Sequence, residues 1–321
     1  MNTGIFAKQF MAPTVFAGRG MRLPALFVII AAVLGLSACG DEQAREELQS
    51  VRLKHVHGLA YSQDGKRLFV PSHDGLAIYN GGHWSKAPGP EHDYMGFTGT
   101  RNHFYSSGHP APGSGLVNPF GLIKSTDGGK TWQKLGLEGE SDFHLLAAGF
   151  DTNAIYVYST ERNSRMRRPG LYRTLNDGFS WQPLKASGLR GELNSIAVHP
   201  SATDVVAVGT DAGLYLSQEG GQRFEPVASG QRVMAVFFDL DGRHLWYGTY
   251  AGAAQLYRTQ IQGGNGQRIQ LPPLSEDAVA YIAQNPVTRS EFAIATFQRD
   301  VYLTRDGGGS WKQVARRGKT L

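Results

Sequence analysis

Two aspartates and a group of histidines are the side chains of this 321-residue sequence best suited to chemistry. Asp93 stands two residues before Met95, Asp142 two before His144, and His55 two before His57. In an extended strand, residues two apart project to the same side, so each pair offers two functional groups to one surface. Three chemistries are open to them. Two carboxyl groups flanking a glycosidic bond can hydrolyse it, at about 5 Å apart with retention or roughly 6.5–9.5 Å with inversion. Asp93 and Asp142 are the candidate catalytic pair, with Glu140 as substitute, one of them kept protonated by burial as the general acid. Histidine with thioether is a donor set suited to copper, which His57, His144, Met95 and Met234 could supply; His55, His57 and either His73 or His109 would give an all-nitrogen alternative. A bound metal ion is the one cofactor considered, and no short spacing such as H-E-x-x-H accompanies it. Third, His55, His57, His73, His92, Met95, His109, His144 and Arg232 could line a binding site for a glycan or protein without catalysis. The plainest alternative is that these groups solvate a channel and satisfy loop backbones.

The elements that must position them are announced by a repeat. "KSTDGGKTW" (124–132) returns as "LTRDGGGSW" (303–311), and weaker copies read "TLNDGFSW" from Thr174 and "SQEGGQRF" from Ser217. The key positions are Ser125, Asp127, Gly129 and Trp132; Asn176, Gly178 and Trp181; Glu219 and Gly221; Thr304, Asp306, Gly308 and Trp311. The pattern resembles the Asp-box, or BNR, repeat. Its acidic side chain can accept backbone N–H bonds of its own turn, and the glycine supplies a positive φ. Terminal aromatics at Trp132, Trp181, Phe224 and Trp311, with Trp84 and Ile269 in the empty slots, are 48, 49, 43, 45 and 42 residues apart. Six such units, each with four short alternating runs, predict an all-β fold: a six-bladed β-propeller with these turns between strands three and four. Five blades plus an irregular cap is the alternative, because the fifth unit lacks the turn.

Aligning the six first strands gives one level with His57, Met95, His144, Asn194, Met234 and Ala280, and another with His55, Asp93, Asp142, Glu192, Arg232 and Ala278. The longest connections join strands two and three or enter a first strand, and so converge on one end of the channel. That mouth is expected to gather His73, His92, Asp93, His109, Glu140, Asp142 and the Arg162–Arg168 loop beside His55 and His57.

The layout "HVHGL…HDGL…MGF…SSGHP…STDGGKTW…SDFH" resembles small secreted bacterial proteins called glycosyl hydrolases, within the sialidase-like superfamily; the likeness covers residues 55–315. It implies the propeller and, for the repeated turns, the end away from the active site. Sialidase chemistry proper is not expected: no Arg-Ile-Pro-type segment opens the domain, the arginines crowd into one loop, and no Tyr–Glu pair can be assigned. Asp-box propellers also serve as binding scaffolds without activity. The sequence leaves open whether the protein is an enzyme.

The first residues read as an address. A basic flank at Arg22, an apolar run from Leu23 to Leu36 and "LSAC" ending at Cys39, the sole cysteine, read as a secretory signal peptide over 1–38. Its end resembles a lipobox, which implies lipid on Cys39; Met21 is a second candidate start. Residues 39–53 would form the lipidated tether, 54–315 the propeller and 316–321 a tail. The expected location is extracytoplasmic, anchored to a membrane through the lipid alone, on the periplasmic side of an outer membrane or at the cell surface. Cleavage removes Lys8, Arg19 and Arg22 and no acid, leaving 29 basic against 27 acidic side chains. So nearly neutral a protein gives no reason to expect a nucleic-acid partner. A monomer is expected.

Overall fold

A computed structural model describes residues 51–321, residue 265 excepted. The expected signal peptide, the lipidation at Cys39 and the tether up to residue 50 lie outside the described residues. Every described element is a strand or a turn, and the strands form six consecutive antiparallel sheets. Blade one holds β1 (Ala60–Tyr61), β2 (Arg67–Ser72), β3 (Gly75–Asn80) and β4 (His83–Lys86). Blade two holds β5 (Asp93–Gly99), β6 (Phe104–His109), β7 (Leu122–Ser125) and β8 (Gln133–Gly136). Blade three runs from β9 (Leu146–Ala148) through β10 (Ile155–Ser159) and β11 (Gly170–Thr174) to β12 (Gln182–Pro183). Blade four comprises β13 (Leu193–Val198), β14 (Val206–Thr210), β15 (Gly213–Ser217) and β16 (Glu225–Ser229). Blade five comprises β17 (Val233–Phe238), β18 (His244–Tyr250), β19 (Ala254–Gln260) and β20 (Gln267–Ile269). Blade six adds β21 (Val279–Gln284), β22 (Phe292–Thr296), β23 (Val301–Thr304), β24 (Lys312–Arg316) and β25 (Lys319–Thr320). The fifth blade is a complete four-stranded sheet although it lacks the repeated turn, so the five-bladed alternative is excluded.

First strands pack side by side around the ring in the order β1, β5, β9, β13, β17, β21 and back to β1. The apolar residues fall into six clusters, one per interface between blades. Phe69 and Ile78 of blade one, for example, meet Phe97 and Ile123 of blade two. This follows from strand periodicity: alternate side chains leave opposite faces of a blade, and each face is buried against a different neighbour.

The repeated turns join third and fourth strands. In blade two the hydroxyl of Ser125 donates to Asp127 (2.9 Å) and accepts from the Gly129 amide (2.8 Å), while Asp127 Oδ1 accepts from the Thr131 amide (3.0 Å). Thr304, Asp306, Gly308 and Ser310 repeat this in blade six. Asn176 takes the acid's place in blade three, accepting from the Ser180 amide at 3.0 Å. In blade four only the Ser217 half survives, accepting from Glu219 and Gly221. The glycines have a second, steric reason. A Cβ on Gly129 would lie 2.3 Å from Leu76 of blade one, and one on Gly308 would lie 2.4 Å from Ile269 of blade five.

The ring is closed more tightly than four strands per blade require, and the expected domain limits move outward. Residues 316–321 are no free tail: β25 pairs with β24, and Lys319 bridges to Arg52. The Leu53 amide bonds to Gly318 O (2.8 Å), the Thr320 hydroxyl donates to Val51 O (2.8 Å), and Leu53 is fully buried. Residues 51–53 therefore belong to the propeller and not to a tether.

Candidate functional site

The ring encloses a cavity of about 190 Å³ running along the first strands. At one end it is lined by His57, His144, Asn194, Met234 and Ala280, the expected level; toward the other end the wall turns apolar, with Ala147, Ile196, Val198 and Ala283. The polar end is where the connections between second and third strands and the entries to first strands emerge, opposite the repeated turns.

The histidines and aspartates converge there. His55, His57 and His73 stack as three nearly parallel rings, with centroids 4.4 Å (His55–His73), 5.0 Å (His57–His73) and 5.8 Å (His55–His57) apart. One ring nitrogen from each lies within 4.8 Å of the others. Asp93 stands between two of them, Oδ1 at 3.6 Å from His57 Nε2 and Oδ2 at 3.6 Å from His73 Nε2. On the next blade boundary, Asp142 Oδ2 lies 3.1 Å from His109 Nε2 and 3.2 Å from His144 Nδ1. His57 Nε2, Asp93 Oδ1 and Asp142 Oδ1 are buried without a hydrogen-bond partner, a costly condition for polar atoms.

Two glycines allow this approach. Gly96, at φ 54°, lets β5 come so close to blade three that a Cβ would sit 2.1 Å from the Phe143 carbonyl oxygen. Gly108, at φ 112°, holds β6 against β5, where a Cβ would meet Asp93 O at 2.0 Å. His109 and Asp93 are thus paired across the sheet.

Burial sets the electrostatics. It pushes the His57 imidazole down to about 3, assisted by the neighbouring His73, His55 and His144, so this ring is neutral at ordinary pH. Burial raises the Asp93 carboxyl as well; His73, His109 and His55 pull it down, and the charge of Asp142 pushes it further up.

Other expected members stand elsewhere. His92 is buried against Tyr94 and Phe120, and its Nδ1 accepts the Ala111 amide (2.9 Å), so it holds the blade-two loop. Glu140 is exposed and accepts from the Ser164 amide (2.6 Å) and hydroxyl (2.9 Å), which fastens the arginine-rich loop. Met95 is buried and absent from the cavity wall, whereas Met234 reaches it from blade five. Met95 therefore does not join His57, His144 and Met234 on the cavity wall; β5 loses regular register between Met95 and Thr98, where Gly96 stands at φ 54°. Arg232 is exposed on blade five, outside the cavity wall. Sequence reasoning missed Asn118, whose Oδ1 accepts from His109 Nδ1–H at 2.6 Å; nothing in "GLVNPFG" marks it. It also missed Ser107, whose buried hydroxyl donates to Gly121 O (2.6 Å) and accepts from the Phe143 amide (2.9 Å), tying blade two to the entry of blade three.

No family model matches the chain, and no curated protein matches it. Solved structures do. A GH74 enzyme of Niastella koreensis superposes at TM-score 0.56 with 14% identity, over 83% of this chain and 46% of that one. The extracellular domain of a one-component system of B. thetaiotaomicron gives 0.51 and 14%, over 84% and 35%. The Cps50 (Swd1) propeller domain of Myceliophthora thermophila gives 0.52 and 13%, over 82% and 87%. The chain spans less than half the length of the first two. An enzyme, an extracellular domain and a Swd1 propeller domain resemble this chain in fold, whose six blades its own sheets define. At such identity the likeness bears on the fold alone, and function must be argued from the site.

Proposed function

We propose that the protein binds a divalent transition-metal ion at the mouth of the propeller through His55, His57 and His73, with the Asp93 carboxylate beside them. The observation that carries this reading is the convergence of one ring nitrogen from each of the three histidines within 4.8 Å of the others. Asp93 stands beside them, one oxygen 3.6 Å from His57 Nε2 and the other 3.6 Å from His73 Nε2, too far for hydrogen bonds. His57 Nε2 and Asp93 Oδ1 have no other partner, and a buried neutral imidazole is the form that ligates metal. An imidazole set suits zinc, nickel or copper(II), and the absence of Met95 from the cavity wall argues against a copper(I) site.

Glycoside hydrolysis by Asp93 and Asp142 is the weaker reading, because each carboxylate is flanked by two imidazoles and neither faces the cavity unencumbered. With the N-terminal sequence, the proposal describes an extracytoplasmic, lipid-anchored metal-binding propeller. Titration calorimetry of the purified protein with Zn²⁺, Cu²⁺ and Ni²⁺ tests it. Tight binding of at least one ion, weakened at least about 100-fold in His57→Ala, is expected; heat of dilution alone, or equal affinity in the variant, contradicts it.

A further inference from the structure

We infer that the loop between β10 and β11 is a docking surface for an anionic polysaccharide, one whose repeating units carry carboxylate or sulfate groups. The loop, residues 160–169, places Arg162, Arg165, Arg167 and Arg168 within one short segment. Arg162, Arg167 and Arg168 are exposed, and among the described residues their guanidinium groups meet no acidic side chain, unlike the arginines that pair elsewhere on the ring. Arg190 and Arg232, where the chain enters blades four and five at the same end of the ring, are exposed and unmatched in the same way. The acids along this arc are Glu161, Glu192 and Asp211, and Asp211 already holds the Glu192 amide at 2.8 Å. On blade one the charges are matched instead: Lys54 pairs with Asp74 at 2.8 Å, and Lys86 with Glu91 at 2.5 Å. Unmatched cations thus collect on one half of the rim.

The loop holds these side chains on a fixed backbone. Met166 is fully buried beneath it. Asn163 Oδ1 accepts from the amides of Arg165 (2.9 Å) and Met166 (2.7 Å), its Nδ2 donates to the Ser141 hydroxyl (2.8 Å), and Glu140 takes the amide and hydroxyl of Ser164. Arg165 is spent on the same task, its guanidinium donating to Leu135 O (3.3 Å) and Gly178 O. A backbone already fixed loses little further freedom on binding, and guanidinium forks match the paired oxygens of carboxylates and tetrahedral oxyanions. The rest of the loop selects among polyanions. Its one long apolar side chain is the buried Met166, so it offers nothing to enter a bilayer or to anchor in a protein pocket, and it has no aromatic ring on which a base could stack. A hydrophilic polymer with charges repeated along its length, a uronic-acid or sulfated glycan, is the partner that needs only what the loop supplies.

The experiment is titration calorimetry of the full chain, with a metal chelator present throughout, against polygalacturonate, dextran sulfate and uncharged dextran. Binding to at least one of the charged polymers and none to dextran is expected, with affinity falling steeply between about 0.05 and about 0.5 M salt. Arg162→Ser/Arg167→Ser/Arg168→Ser should lose about tenfold or more, the sum of three exposed ion pairs. Its thermal unfolding should be unchanged, because these side chains make no ion pair within the fold. Heat of dilution alone with both charged polymers, equal affinity for dextran, or wild-type affinity in the triple variant would overturn the inference. So would tighter binding to polyglutamate, to vesicles of anionic phospholipid or to duplex DNA than to either polysaccharide. If the triple variant fails to fold, Arg167→Ser alone decides: a loss of about two- to fivefold is expected, and wild-type affinity rejects the surface. The chelator keeps either outcome separate from the metal site, which stands or falls on its own titration.

Discussion

His57 Nε2 and Asp93 Oδ1 face each other across 3.6 Å, from blades one and two, and neither has a hydrogen bond. Buried polar atoms without partners are costly, and an ion held by His55, His57 and His73, as proposed above, would offset that cost.

Metal should therefore stabilise the fold. Zn²⁺ at a hundredfold excess over its dissociation constant adds about 2.7 kcal/mol to the native state. The midpoint of thermal unfolding is expected to rise by several degrees with zinc and fall back with a chelator. A midpoint indifferent to both would speak against any site at the mouth.

Gly96→Ala should separate the two halves of the site. A residue with a Cβ at φ 54° is strained, by about 1–3 kcal/mol, and here the added carbon also strikes Phe143 O. Denaturant unfolding should show the loss, and metal affinity should fall although no ligand is changed. Wild-type affinity in this variant would mean that the spacing of blades two and three does not set the site.

The repeated turns make a prediction about acid. Hydrogen bonds from Thr304 and Ser310 hold Asp306 far below the usual carboxylate range. For Asp127, burial pushes up, but the bonds from Thr131 and Ser125 outweigh it and the net direction is down. A carboxyl lowered in the folded state stabilises it above the unfolded value, and that contribution is lost as pH falls through the folded value. The amides of Thr131 and Ser310 should accordingly lose hydrogen-exchange protection only below the usual carboxylate range. The Ser180 amide, bonded to Asn176 Oδ1, should show no such step. Parallel loss at all three amides would refute the assignment.

Ring closure predicts a cost far from the site. Leu53→Ala empties a fully buried position between the termini and should cost about 2–5 kcal/mol, read from denaturant midpoints. A change under about 0.5 kcal/mol would show that residues 51–53 do not close the ring.

The legible part of the molecule was whatever local chemistry dictates. Asp127, Gly129 and their copies spell their turns within eight residues, so the blade count could be read from their spacing even where blade five had none. His57 and His144 fell at the right level because strand periodicity is local too. Met95 is not on the cavity wall, and the register shift between Met95 and Thr98 beside it is a backbone detail that no composition or alternation reveals. His92 and Glu140 are committed to loop amides that fold onto them from Ala111 and Ser164, and Asn118 approaches His109 through a loop without a pattern. The pairing of Arg52 with Lys319 spans nearly the whole chain and has no sequence signature.

The most direct test of the central claim is X-ray absorption spectroscopy at the zinc edge on protein loaded with one equivalent. Three imidazole nitrogens at about 2.0–2.1 Å are predicted, with an imidazole lost in His57→Ala. A shell of water oxygens alone, or a sulfur ligand near 2.3 Å, would contradict the account.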